Sequence, residues 1–140
     1  LLVIAASLGI GGALQHTGAA TILAEGFLSF TDSSPYLTLI GVYLSTWILT
    51  EMVTNNVAAV LIFPIAISMA ASFGASYMPF VMTIIMAASA SFSTPIGYQT
   101  NLMVYGPGGY RFTDFTKIGL PLNLMVAGIT VFLVPQIWPF

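Results

Sequence analysis

Residues 49–64 read LTEMVTNNVAAVLIFP, with Thr54, Asn55 and Asn56 side by side in otherwise apolar sequence. Adjacent asparagines are ordinary in a surface turn, but inside a membrane each unpaired amide costs on the order of several kcal/mol. The surrounding composition says which solvent applies. The 140 residues are 58% hydrophobic and 4% charged, with a mean hydropathy of +1.00, against roughly 25% charge in a soluble domain. Between Asp32 and Arg111 the sole formal charge is Glu51. Runs such as VAAVLIFPIAISMAASFGAS (57–76) and PFVMTIIMAASASF (79–92) reach well into or across a hydrocarbon core of about 30 Å. The sequence therefore predicts an all-α, multi-pass integral membrane protein, placed in the plasma (inner) membrane. The absence of cysteine excludes disulfides and thiolate metal sites. The opening LLVIAASLGIGG lacks a Met and a basic leader, so the chain is expected to be a piece of a longer protein.

Working outward from the Thr-Asn-Asn cluster, SPYLTLIGVYLSTWILTEMV (34–53) has a Ser-Pro helix start and runs for about one helix into the polar cluster. A second apolar arm follows at once. Two arms with an uncharged polar tip predict a re-entrant hairpin over 36–72, because non-helical backbone at membrane depth is tolerated only inside protein or beside a watery cavity. The next helix is interrupted by STPIGYQTN (93–101) before LMVYG resumes apolar character. Pro95 removes a donor and disfavours helix at Thr94, which predicts a broken, unwound transmembrane helix over 77–106. A last span is expected over 112–137, ending in interfacial Trp138, Pro139 and Phe140. Ahead of the hairpin, 1–14 reads as the end of a membrane helix. Residues 15–32, with Gln15, His16, Glu25 and Asp32, read as an interfacial arm helix. Arg111 and Lys117, the only Arg and Lys, place the loop before the last span on the cytoplasmic side.

Two interrupted helices suggest a binding site. A helix that starts in mid-membrane turns free N–H groups and a positive dipole end toward an anion, and one that ends there offers carbonyls to a cation. Transporters built from inverted repeats use both ends at a midplane site. Three of the four asparagines, Asn55, Asn56 and Asn101, fall at the two breaks, and Asn123 is the fourth. Against this stands a plainer alternative, in which Thr54, Asn55 and Asn56 only cap the following helix. Glu51 is open to a cation, a proton or an internal hydrogen-bonding role, and the balance favours the last. His16 has no second metal-type ligand at helical spacing and reads as a structural interfacial residue, while the methionines read as apolar filling. No nucleophile–base pair, phosphate loop or metal-ligand cluster stands out, so an enzyme is not expected.

LTEMVTNNVAAVLIFPIAISMA followed by SASFSTPIGYQTNLMVYGPGGYRFTDFTKIGLPLN resembles the C-terminal half of the divalent anion:sodium symporter family. The shared elements are a Thr-Glu before a Ser-Asn-Thr-like tip, a Thr-Pro break, a Gly-x-Gly turn and charged residues before the last helix. The resemblance implies a secondary active transporter, Na⁺-coupled and working by alternating access, with sulfate or a small dicarboxylate as substrate. Proton-coupled or exchange transport on the same scaffold, or a membrane anion sensor that does not transport, are the other readings. It also implies a missing N-terminal repeat carrying an inverted copy of the hairpin and broken helix, and a homodimer. No cofactor beyond Na⁺ is expected. By resemblance, Thr54, Asn55, Asn56, Thr94 and Pro95 contact the substrate, and oxygens of Thr50, Val53, Asn55 and Ser93 hold Na⁺. Two departures bear on the pocket: Asn56 stands where the family has Thr, and Ile96–Gln99 lengthen the break. Both favour a compact oxyanion such as sulfate.

Overall fold

A computed structural model describes Thr17, 34–52 and 54–140, with every side chain except that of Gln99. The helix end expected at 1–14, the arm helix expected at 15–32 (apart from the exposed turn residue Thr17) and Val53 lie outside the described residues. All regular structure among the described residues is helical: α1 (Pro35–Met52), α2 (Asn55–Phe73), α3 (Met78–Ser89), α4 (Gln99–Tyr105) and α5 (Phe112–Ile137).

Local chemistry sets several helix ends. Pro35 opens α1, where its missing N–H costs nothing. Gly74 closes α2 in the left-handed region at φ 62°, and its N–H and that of Ala75 bond back to Ala71 and Ala70 carbonyls. A residue with a Cβ would be strained there. Asp114 accepts the Arg111 backbone N–H at 2.8 Å and puts negative charge in the first turn of α5, at the positive end of its dipole. Pro64 in α2 and Pro121 and Pro135 in α5 sit inside helices. Membrane helices tolerate such prolines when neighbours satisfy the freed carbonyls.

Helices α1, α2 and α3 pack on one another in pairs, and α5 lies against α3 and α1. The connection from α1 to α2 is only residues 53–54, so packing of the two reverses the chain there in a helical hairpin. Leu39, Val42, Ile62, Ala66, Met69, Ala70, Phe80 and Ile84 form the core. Its alanines let backbones approach closely, the usual route to tight helix contact where lipid removes the hydrophobic drive. By length and composition α2 and α5 are able to cross a membrane. α5 buries the narrow stripe Gly119, Asn123, Thr130 and Val134 and exposes large apolar side chains such as Ile118 (75%) and Phe132 (67%). So wide an uncovered apolar surface suits lipid or further protein, not water.

Candidate functional site

The two interruptions in helical backbone, at Thr54 and over residues 90–98, meet at the C-terminal end of α1. Polar threonines along α1 show why this end is special. Thr38 and Thr46 donate their hydroxyls to carbonyls four residues earlier, Ser34 at 3.1 Å and Val42 at 2.7 Å, which satisfies a hydroxyl within its own helix. Thr50 does not. Its Oγ1 lies 2.8 Å from Asn55 Oδ1 and 2.9 Å from the Ala88 carbonyl, yet a hydroxyl has one proton to give. One of these contacts is therefore an oxygen pair without a shared hydrogen, unless the Asn55 amide is turned so that its nitrogen donates to Thr50. In the orientation observed, three oxygens from three chain segments converge on one point.

The second interruption is held by bonds from every side. Glu51 Oε1 accepts the Ser93 N–H at 2.9 Å, Asn123 Nδ2 at 3.0 Å and Trp47 Nε1 at 3.2 Å. The Thr94 hydroxyl donates to the Glu51 carbonyl at 3.2 Å and accepts the Gly97 N–H at 3.2 Å. Asn101 Nδ2 reaches the carbonyls of Ser91 at 3.1 Å and Thr94 at 3.2 Å. Thr116 of α5 donates to the Ser93 carbonyl at 3.2 Å, and Asn123 Nδ2 to Ser93 Oγ at 2.7 Å. Backbone freed by the lost helix is thus paired again. Two glycines permit the approach. A Cβ on Gly97 would run into Ser91 Oγ and stand 2.7 Å from the Thr50 carbonyl, and one on Gly119 would run into the Phe92 carbonyl.

The expected site residues other than Val53, which lies outside the described residues, each have a definite place. Thr50 is fully buried and Asn55 half-buried at the point where the segments meet, while Thr54 and Asn56 are exposed. Thr54 has extended backbone, as an N-cap should, but its side chain makes no cap bond, and the Asn55 side chain turns to Thr50. Neither the Thr54 nor the Asn55 side chain thus acts as the cap that the plainer alternative requires. Thr94 is half-buried and engaged through its hydroxyl; Pro95 and Ser93 are buried. The internal hydrogen-bonding role favoured for Glu51 is present, but its partners lie on its own helix, on the second interruption and on α5. Among the described residues, apolar cavities of about 540, 310 and 280 Å³ lie elsewhere, the first between α1 and α5 beside Tyr43 and Gly128. None is lined by the residues expected to bind substrate.

Asn123 and Thr116 were not among the residues expected at the site, and Asn101 was expected at the second break without a ligand role. A lone amide in the apolar run LPLNLMV (120–126), four positions after a glycine, was the available signal for Asn123, since polar side chains at membrane depth are functional by default.

The family described as citrate transporter matches residues 1–140. The chain belongs to that family. Its members are transporters, not enzymes, and the resemblance to divalent anion:sodium symporters stands with it. An uncharacterized transporter of Synechocystis sp. is 43% identical over 99% of the chain and 23% of its own length. A sulfur deprivation response regulator of Chlamydomonas reinhardtii is 45% identical over 94% of the chain and 23% of its own length. Sodium/sulfate cotransporter 2 of the same alga is 38% identical over 91% of the chain and 15% of its own length. This family member thus spans about a quarter or less of these relatives.

Proposed function

We propose that the protein is a secondary active transporter that couples Na⁺ to the movement of a divalent anion, sulfate or a small dicarboxylate, by alternating access. The observation that carries this reading is the meeting of two helix interruptions at Thr50 and Glu51, which bond to Asn55 on one side and to Ser91, Ser93 and Thr94 on the other, in a chain of a transporter family. On this reading 36–72 is a re-entrant hairpin and 77–106 an unwound transmembrane helix. The N-terminus of α2, the exposed Thr54 and Asn56 side chains and the half-buried Asn55 meet the anion, with Thr94 and Pro95 facing it. Oxygens of Thr50, Asn55, Val53 and Ser93 hold Na⁺. The Ser93 carbonyl and hydroxyl each already accept one bond, which leaves each a lone pair for a cation. Sulfate is the favoured substrate, in keeping with Asn56 at the tip and with the sodium/sulfate cotransporter among the relatives. The full protein is assigned an inverted N-terminal repeat, a homodimeric assembly and a multi-pass place in the plasma (inner) membrane.

A second reading, a membrane sensor that binds the anion without moving it, is favoured by one observation: a relative described as a sulfur deprivation response regulator. Uptake of labelled sulfate and succinate by the reconstituted full-length protein, with and without a Na⁺ gradient, separates the two. Na⁺-dependent uptake is expected. Binding without uptake supports the sensor.

A further inference from the structure

Asn123 lies at the middle of α5 and is fully buried. Its amide nitrogen reaches Glu51 Oε1, 72 residues away in sequence, and Ser93 Oγ, 30 residues away. The Ser93 N–H donates to the same Glu51 oxygen, so the three residues close a triangle across α1, the second interruption and α5. The orientation of the amide follows from its partner: Glu51 Oε1 already accepts the Ser93 and Trp47 N–H groups, and the amide turned over would set Oδ1 against it. Gly119, one turn earlier on the same stripe, lets α5 touch the Phe92 backbone so that so short a side chain can span the gap.

The triangle is also incomplete. With both N–H groups of Asn123 spent, its Oδ1 is buried without a partner among the described residues, and so is Glu51 Oε2. A half-satisfied polar network is a poorer stabiliser than an apolar contact of the same shape. Glu51 directly follows Thr50, whose hydroxyl meets Asn55, and Ser93 is the candidate Na⁺ ligand of the second interruption. One side chain on a third helix therefore fixes both halves of the candidate cation site.

We propose that Asn123 is a positioning residue for ion coupling: it holds Glu51 and Ser93 in the register in which Na⁺ binding strengthens anion binding. The inference rests on the reading of the site as Na⁺-coupled. Such coupling requires both ligands to favour the same arrangement of the two interruptions, and a bond bridging them from α5 selects that arrangement.

The test uses reconstituted full-length protein, with apparent sulfate affinity measured at low and at saturating Na⁺. In wild type the affinity rises with Na⁺. Asn123→Leu strips a donor from both Glu51 and Ser93 and is expected to lower thermal stability, while the Na⁺-dependent gain shrinks at least about ten-fold, the loss of roughly 1.4 kcal/mol of coupling. Asn123→Asp sets two carboxylates face to face and is expected to lose the gain as well. Adding Glu51→Gln restores an amide–carboxylate pair of reversed polarity and is expected to recover part of it, which a purely structural defect would not do. An unchanged gain in Asn123→Leu, or equal weakening at both Na⁺ concentrations, overturns the inference. If Asn123→Leu does not fold, the exchanged pair decides, and no recovery overturns it. Wild-type protein whose sulfate affinity ignores Na⁺ overturns the Na⁺-coupled reading itself, and this inference with it.

Discussion

The two interruptions solve one problem in opposite ways. At the first, around Thr54, the Thr54 and Asn56 side chains are exposed and Thr54 makes no cap bond. Residues 90–98 form a longer irregular stretch in which Ser91, Ser93, Pro95 and Gly97 are buried. Its backbone is bonded to Glu51, Thr94 and Thr116, and to Asn101 from the helix that follows. The first leaves the Thr54 and Asn56 side chains exposed. The second spends its own on being held. A buried polar group must be paired, whereas one left open can wait for an occupant. Ligand affinity should therefore respond to changes in the first stretch and folding to changes in the second.

The largest effect should come from breaking the contact between them. Gly97→Val drives a branched side chain into Ser91 and the Thr50 carbonyl, and is expected to cost about 3 kcal/mol or more of stability. A melting curve in detergent that stayed at the wild-type position would refute the close approach. Next comes Asn55→Asp, which keeps size and oxygen ligands but removes the NH₂ donors and sets negative charge beside the anion. Apparent substrate affinity should fall on the order of a hundred-fold with Na⁺ affinity little changed. Equal loss of both would mean that Asn55 serves the fold.

Asn101→Ala removes two bonds to the Ser91 and Thr94 carbonyls and should cost about 1–3 kcal/mol, read as a lower melting temperature with ligand affinities nearly intact. Smallest is Thr54→Ala. A capping threonine lost to alanine costs about 1 kcal/mol, but Thr54 makes no cap bond, so stability should change by less than about 0.5 kcal/mol. Substrate affinity should still weaken. A full capping penalty would return the Thr-Asn-Asn cluster to a structural role and blur the contrast between the two stretches.

Several of these features are legible in sequence. Composition alone names the solvent, because so few charges and so much apolar surface cannot be hydrated. Asparagines crowded between apolar runs announce an irregularity at Thr54–Asn56, and Thr-Pro at 94–95 announces another, since both signals act on the nearest few residues. The outline of the candidate site is visible in the same way, as polar residues where hydrocarbon should be. Its internal wiring is not.

Sequence by itself determined that the chain is helical, apolar and interrupted near two polar clusters, because propensity, proline and glycine work over one or two turns. Only the tertiary structure decided which oxygens meet. The bonds from Glu51 to Ser93 and to Asn123 join residues 42 and 72 positions apart, and no periodicity specifies which helix faces which. Asn123 looked like one stray amide in the last helix until α5 packed against α1 and α3. Glu51 carried the only charge in its region and an undecided role, and its place as acceptor for three donors came from that packing. A buried carboxylate must find donors somewhere, but the sequence states only the need, and the fold supplies the partners.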